Sequence, residues 1–248
     1  MAAAAAAVLS VLVPLSLAAQ RGRMFGFGRR GAVYANVPYD GRFTVVRLRY
    51  RQYGGWWADY PEMERNLTAM MSELTSVHAN TESSNVYDMD DPELMQYPIA
   101  YLSEPGYWEP TQSEALGLRE YLDRGGFLIV DDFHYANEWY VFESAMRRVR
   151  PDAVIHRLDV THPIFNSFFQ IRTLEVPYPG RLGERGLMGE FYGIYEDNDP
   201  DKSLEIVINY NMDIGDYMEW SFTNPYAIAP TNEAFKFAIN YIIYGLTR

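Results

Sequence analysis

The stretch Gly125–His134, with the sequence GGFLIVDDFH, decides the fold. Two glycines precede the four apolar residues Phe127–Val130, a pattern typical of a parallel strand that is covered on both faces. Asp131, Asp132 and His134 follow directly. The stretch therefore predicts a buried central strand with titratable side chains at its carboxyl end.

Strand-like and helix-like segments alternate on both sides of this stretch. Short β-branched or apolar runs predict strands, and apolar residues at helical spacing predict helices. The predicted strands include 43–48, 98–102, 153–155, 191–195 and 204–208, and helices are expected to open at Asp59-Tyr60-Pro61, Thr111, Asn137 and Thr231. This alternation favours an α/β fold with a mostly parallel sheet and helices on both sides.

Three further expectations concern local structure. Thr111 and Glu114 have the spacing of a capping box, and Asn137 and Thr231 are of a residue type that caps helices. The segment 163–189 contains prolines and glycines without apolar periodicity, and we expect it to form a loop or lid inserted into the domain.

The N-terminus predicts export. Residues 1–19 carry no charge and end in small residues, as a secretory signal peptide cleaved near Ala18 or Ala19 does. The missing basic residue at the start leaves an uncleaved anchor as the alternative, but after cleavage we expect no stable membrane span. Residues 20–41 predict a flexible leader and residues 42–248 a single domain. We therefore expect a periplasmic or cell-envelope protein.

Composition excludes several functions. The formal net charge of -12 argues against a nucleic-acid partner, because such binding requires cations that neutralise phosphates. The chain has no cysteine, which excludes disulfides, thiolate nucleophiles and thiolate metal sites. Aromatic residues make up 15% of the chain, either as core and surface or as a groove in which rings stack on a sugar or another flat ligand.

The first candidate site follows the central strand. Asp131, Asp132 and His134, with Glu138 and Trp139 shortly after them, could bind a divalent cation or provide an acid–base pair. Carboxylates crowded there would raise one another's pKa. The alternative is that the aspartates cap loop amides beside a solvated histidine.

The second candidate site follows the last long strand. If residues 213–219 are helical, Asp213, Asp216 and Glu219 lie on one side of the helix, beside Trp220. Three carboxylates and an aromatic ring could bind a cation or a sugar. The alternative is a turn with solvated acids. In parallel sheets, sites form at the carboxyl ends of the strands, so we expect the two acidic segments to meet at one edge.

Several motifs in order resemble a bacterial family designated domain of unknown function 4159. They are GGFLIVDD at 125–132, Glu138-Trp139, HPIF at 162–165, DIGD at 213–216 and NYIIY at 240–244. That family is similar to class I glutamine-amidotransferase-like and trehalose-utilisation-like proteins. The resemblance implies a flavodoxin-like three-layer sandwich over about residues 43–248.

The same resemblance implies what the chain cannot do. Amidotransferases carry a nucleophilic cysteine on a sharp turn after the strand that follows their glycines, and the nearest corresponding place here holds Asp131 or Asp132. Without a thiol no thioester can form. We therefore prefer a non-catalytic module that binds a carbohydrate or an envelope protein, and we keep a metal-assisted or carboxylate-based hydrolase of a glycan or similar polar substrate as the alternative.

Overall fold

The computed structural model describes residues 35–51, 55–223 and 228–248. The predicted signal peptide lies outside the described residues, as do residues 20–34 of the predicted leader. The described end of the leader lies beside an edge of the sheet. Asn36 donates its side-chain amide to the Val86 carbonyl oxygen and accepts from the Val86 N–H, both at 2.8 Å.

The centre of the domain is one seven-stranded sheet in the order β2-β1-β3-β4-β7-β6-β5. Only β6 runs antiparallel to its neighbours in this sheet. The strands are β1 (Val46–Arg49), β2 (Asn85–Asp88), β3 (Ile99–Ser103), β4 (Phe127–Phe133), β5 (His156–Arg157), β6 (Glu190–Tyr195) and β7 (Leu204–Tyr210). The chain turns back after β2 to place β3 on the other side of β1. This reversal creates a topological switch point between β1 and β3, where open α/β sheets leave a crevice.

Helices cover both faces of the sheet and bury a separate apolar core on each. One core contains side chains of α1, α5 and α6, and the other contains side chains of α2 and α3. The helices are α1 (Glu62–Leu74), α2 (Gln112–Asp123), α3 (Tyr135–Val149), the single turn α4 (Arg181–Glu184), α5 (Ile214–Glu219) and α6, described over Ile228–Thr247. The predicted α/β class with a mostly parallel sheet flanked by helices is confirmed. In the described parts of the chain no helix is both long and apolar enough to cross a membrane.

The predicted central strand and capping box are confirmed. All seven residues of β4 are buried, between β3 and β7. Thr111 accepts from the Glu114 N–H, and the Glu114 carboxylate accepts from the Thr111 N–H at 2.7 Å. The capping box was recognisable because its two contacts join residues three apart, and β4 because its apolar residues form one continuous run.

Two predicted caps are wrong, and one strand was not predicted. Helix α3 begins at Tyr135 with His134 as its N-cap, so Asn137 lies in its first turn. The Glu138 carboxylate accepts from the His134 N–H at 2.7 Å and so satisfies a donor at this helix start. Thr231 lies inside α6. Strand β2 has only four residues, too few for a clear alternating pattern.

The segment 163–189 forms loops that pack onto the domain. Asn240 of α6 holds it in place, because its side-chain oxygen accepts from the N–H groups of Phe168 and Phe169 and its nitrogen donates to the Phe169 carbonyl oxygen. Farther along, Tyr178 donates its hydroxyl to Asp132 at 3.2 Å. The segment therefore reaches the carboxyl end of β4.

Candidate functional site

A β-bulge at the end of β4 orients the two aspartates that follow its apolar run. Between Val130 and Phe133 the register with β7 shifts by one residue. A regular strand would point Asp131 and Asp132 to opposite faces, whereas an inserted residue re-aims the side chains. Asp132 takes the left-handed conformation, with φ of 64°. Such backbone strain often occurs at functional sites.

Asp131 is fully buried and accepts four hydrogen bonds. The Tyr101 hydroxyl donates at 2.6 Å, the Asn209 side-chain amide at 2.8 Å, and the N–H groups of Ile214 and Gly215 at 2.9 and 3.1 Å. Burial raises the pKa of Asp131 to about 6, and these donors oppose the shift. With its oxygens engaged in this way, Asp131 joins β3, β4, β7 and α5. We call it and its four donors the Asp131 network.

Helix α5 carries the second acidic segment. Asp213 is its N-cap and accepts from the Asp216 N–H at 2.7 Å. The Trp220 indole N–H donates to Asp216 at 2.8 Å and fixes that carboxylate. Asn66 of α1 donates to the carbonyl oxygens of Met218 and Glu219 and ties the end of α5 to α1. Of the two alternatives that the sequence left open for residues 213–219, a helix or a turn, the structure has a helix from Ile214 to Glu219.

A fifth carboxylate comes from the loop between β1 and α1. The buried Arg47 on β1 pairs with Glu64 at 2.5 Å and donates to the carbonyl oxygens of Trp56 and Ala58, which shapes the loop that ends at Asp59. Asp59 has φ of 61°, and its buried Oδ2 atom has no hydrogen-bond partner. A buried acceptor without a donor is costly.

Asp59 was not among the predicted site residues. The motif Asp59-Tyr60-Pro61 resembles an ordinary helix start, which by itself predicts only a structural role. The usable signal was its position, since Asp59 follows β1 at the topological switch point, where ligand sites form in such sheets.

Five of these carboxylates form two overlapping groups. The inner triad consists of Asp59, Asp132 and Asp213, and the outer triad of Asp59, Asp216 and Glu219. Within each triad, one oxygen from every residue lies within 4.8 Å of the others. The two acidic segments therefore do meet at one edge of the sheet, and Asp59 lies where the triads overlap.

The triads differ in exposure. Asp132 and Asp213 are only 7% and 6% exposed, whereas Asp216 and Glu219 are half-buried. The inner triad thus lies deep in the domain and the outer triad lies closer to solvent.

The carboxylates disfavour one another's charge. Burial raises the pKa of Asp59, Asp132 and Asp213 well above the usual range of aspartate, and neighbouring carboxylates raise each further. Arg47 opposes the shift at Asp59. Burial also raises the pKa of Asp216, against the hydrogen bond from Trp220. In the ionised state such a cluster needs positive charge, and carboxylate oxygens are the ligands that hard divalent cations such as Mg²⁺, Mn²⁺ and Ca²⁺ prefer.

The remaining predicted residues lie outside the triads. The Glu138 carboxylate lies 3.5 Å from Nδ1 of His134. Burial and the charge of Glu138 raise the pKa of Glu104 to about 7. Trp139 packs its ring against Phe133, Tyr192 and Tyr210. Trp139 is therefore a partly buried ring that packs against a core, and roles for Trp139, His134 and Glu138 stay predictions.

An aromatic groove begins just beyond Glu104, which has φ of 48° at the end of β3. It has a volume of about 390 Å³, and its walls include Tyr107, Trp108 and Tyr140. Tyr140 is 70% exposed, and the buried indole N–H of Trp108 has no hydrogen-bond partner. The exposed rings of this groove can stack on a flat, hydroxyl-rich ligand.

Fold and site together define an α/β protein with a carboxylate cluster at the switch point of its sheet. The family model described as Domain of unknown function (DUF4159) matches residues 44–246, and the chain belongs to this family. No curated protein matches the chain significantly.

Proposed function

We propose that this protein is a cation-dependent binding module that holds a divalent cation at the inner triad and binds a polar ligand at the same edge of the sheet. The observation that carries the proposal is the Oδ2 atom of Asp59, which is buried without a donor beside two other buried carboxylates. A divalent cation that accepts oxygen ligands would bind this oxygen atom and would also offset the negative charge of the triad.

Protein donors account for only part of the triad's needs. The Tyr178 hydroxyl donates to Asp132, and the Asp216 N–H donates to Asp213. Both donors are neutral, so they do not balance the negative charge. The Arg47 guanidinium is directed to Glu64 and to the carbonyl oxygens of the β1–α1 loop. The proposal thus assigns to a cation the compensation that the described neighbours do not supply.

The proposed ligand is a carbohydrate, or a carbohydrate-bearing partner in the cell envelope. The aromatic groove with Tyr107 and Tyr140 supports this class, because sugars stack on exposed rings and exchange hydrogen bonds at their edges. The uncharged, apolar residues 1–19 support export, and the absence of cysteine agrees with a bacterial envelope. An envelope protein as the partner remains the other outcome that a binding experiment distinguishes.

The finer fold class is part of the same proposal. We place the domain among flavodoxin-like three-layer sandwiches of the class I glutamine-amidotransferase-like type, without the nucleophile. The parallel strands follow the order 2-1-3-4 with β7 next, which supports a flavodoxin-like sheet. The left-handed Asp132 near the carboxyl end of the central strand supports a sharp change of direction at the place where such enzymes hold their cysteine.

The experiment is metal analysis of the purified protein, with equilibrium dialysis against Ca²⁺, Mg²⁺ and Mn²⁺. Asp132→Asn and Asp213→Asn preserve size and remove one ligand charge each, and we expect both variants to lose the tight cation. Asp201→Asn is the matched control, because Asp201 is exposed in a distant turn. A parent protein that binds no divalent cation, or variants that bind it as the parent does, would refute the proposal.

Ligand binding is tested separately. Thermal shifts with neutral and acidic saccharides, in the presence of the cation and of a chelator, should show stabilisation that Tyr140→Ala reduces. Stabilisation only by envelope protein fractions, and by none of the saccharides, would contradict the carbohydrate class.

A metal-assisted hydrolase is the second candidate, and the overlap of the triads favours it specifically. Asp132 and Asp216 each come near the same Asp59 carboxylate, the kind of arrangement in which cations polarise a substrate and activate water. Turnover of glycoside or ester substrates by the cation-loaded parent, abolished in Asp132→Asn, would establish this function in place of simple binding. Equal background rates in parent and variant would exclude it for those substrates.

A further inference from the structure

Building on the proposed inner cation, we infer that Asp59, Asp216 and Glu219 form a second divalent-cation site, and that the Asp59 carboxylate is shared by both cations. The ligand class is again a hard cation such as Mn²⁺, Mg²⁺ or Ca²⁺, because the donors are carboxylate oxygens.

The position of Asp59 supports sharing. It is the one residue common to the two triads, and each of its partners offers an oxygen within 4.8 Å. A carboxylate has two oxygens, so Asp59 can direct one to each cation, as in two-metal sites whose ions lie roughly 3.5–4 Å apart. The buried Oδ2 atom, which also carries the proposed inner site, has no hydrogen-bond partner and leaves Asp59 an oxygen that a ligand can complete.

Gly215 makes room for this bridge. A β-carbon built at residue 215 would lie 2.4 Å from Oδ2 of Asp59. Asp59 therefore packs its carboxylate against the backbone of α5 at Gly215. A residue with a side chain at this position would have to displace the Asp59 carboxylate.

The charge of the cluster favours two cations over one. The two triads contain five different carboxylates, and Arg47 is the cation that lowers the pKa of Asp59. The charge of Arg47 is already paired with Glu64, so one divalent cation balances only two of the five negative charges. A second divalent cation balances two more and leaves a single negative charge.

The two sites should differ in exchange. The ligands of the outer triad are half-buried, so a cation there keeps positions open to water or to ligand oxygens. The Trp220 indole N–H bonds the Asp216 carboxylate, and the Asn66 amide bonds the Glu219 carbonyl oxygen. Two ligands of the proposed outer cation are therefore already positioned. The inner cation, enclosed by Asp132 and Asp213, should exchange more slowly.

The test is the number of Mn²⁺ ions bound per chain, measured by equilibrium dialysis with metal analysis, and by electron paramagnetic resonance for coupling between neighbouring ions. We expect two ions with a coupled signal in the parent, one ion without coupling in Glu219→Gln, and loss of both tight ions in Asp59→Asn. Glu219 is half-buried, so its variant should fold, as circular dichroism checks. Asp201→Asn should keep two ions.

The outcomes separate this inference from the proposed function. No bound manganese in the parent overturns both. One ion in the parent, retained in Glu219→Gln and lost in Asp132→Asn, overturns only the second site. Two ions without magnetic coupling, unaffected by Asp59→Asn, overturn the shared carboxylate.

Discussion

Two acidic regions lie side by side at the end of β4, and they differ in how their charge is compensated. Asp131 accepts from four donors in three different parts of the chain, β3, β7 and α5. Asp132, the next residue, accepts from the Tyr178 hydroxyl and otherwise faces the other carboxylates of the inner triad. Both are buried, so burial alone does not distinguish a structural aspartate from a candidate ligand. The number of hydrogen-bond donors around each carboxylate does distinguish them.

The largest effect should come from breaking the Asp131 network. Asp131→Ala leaves the Tyr101 hydroxyl, the Asn209 amide and two N–H groups of α5 buried without their acceptor. We expect a loss of about 3–5 kcal/mol in the free energy of unfolding, measured by urea denaturation. The exposed control Asp201→Ala should change it by less than about 0.5 kcal/mol. A loss at Asp131 no larger than at Asp201 would contradict a structural role.

Cation binding should act on the inner triad and leave the Asp131 network unchanged. At a free cation concentration about 100 times the dissociation constant, the parent should gain about 2.7 kcal/mol in unfolding free energy. Asp132→Asn should lose this gain and Asp201→Asn should keep it, in paired melts with cation and with chelator. Equal gains in all three proteins would place the cation elsewhere.

Without cations, Asp132→Asn should have the opposite effect and raise the free energy of unfolding. Asp132→Asn removes one of the mutually repelling charges, and asparagine tolerates the left-handed backbone at this position. We expect a gain of about 1 kcal/mol in chelator at pH 8, less than one pKa unit of interaction. Asp131→Asn, in contrast, should destabilise. If both variants destabilise equally in chelator, the two regions are not distinct.

The smallest effect should be the change with pH in the free energy of unfolding of the cation-free protein. Burial raises the pKa of Asp131 to about 6 and that of Glu104 to about 7. The folded protein therefore keeps protons that the unfolded chain releases. The stability that these groups contribute is fully present below their ordinary pKa values and is lost as the pH rises to about 7. Urea denaturation in chelator between about pH 5 and pH 8 measures this slope. Glu104→Gln should flatten its upper part, and an unchanged slope would contradict the assignment.

Local signals predicted the parts of the fold whose sequence determinants are contiguous. The apolar run of β4 and the reciprocal bonds of Thr111 and Glu114 were recognisable because their determinants are contiguous in sequence. The rule that carboxyl ends of parallel strands share an edge also predicted that residues near 131 and 213 meet. Strand β2 was missed because its pairing depends on neighbours elsewhere in the chain.

The geometry of the site depends on tertiary structure that no short pattern encodes. In a regular strand the side chains of Asp131 and Asp132 would point to opposite faces of the sheet, and no sequence pattern at these residues predicts the bulge. The sequence around Asp59 indicates only a helix start. Its place in the site depends on Arg47, which lies on β1 and bonds the loop that leads to Asp59. The sequence could therefore indicate an acidic edge, but not which aspartate is structural and which belongs to a triad.

The side chain of Asn36 has a consequence for association between copies of the protein. Strand β2 is an outer strand, and an open outer strand can recruit a strand from another molecule. The Asn36 side chain forms hydrogen bonds with both the N–H and the carbonyl oxygen of Val86, and it therefore occupies backbone groups that a strand from another molecule would need for pairing. A shortened form that begins after residue 36 would lose these two hydrogen bonds and should self-associate more readily than a form that retains Asn36.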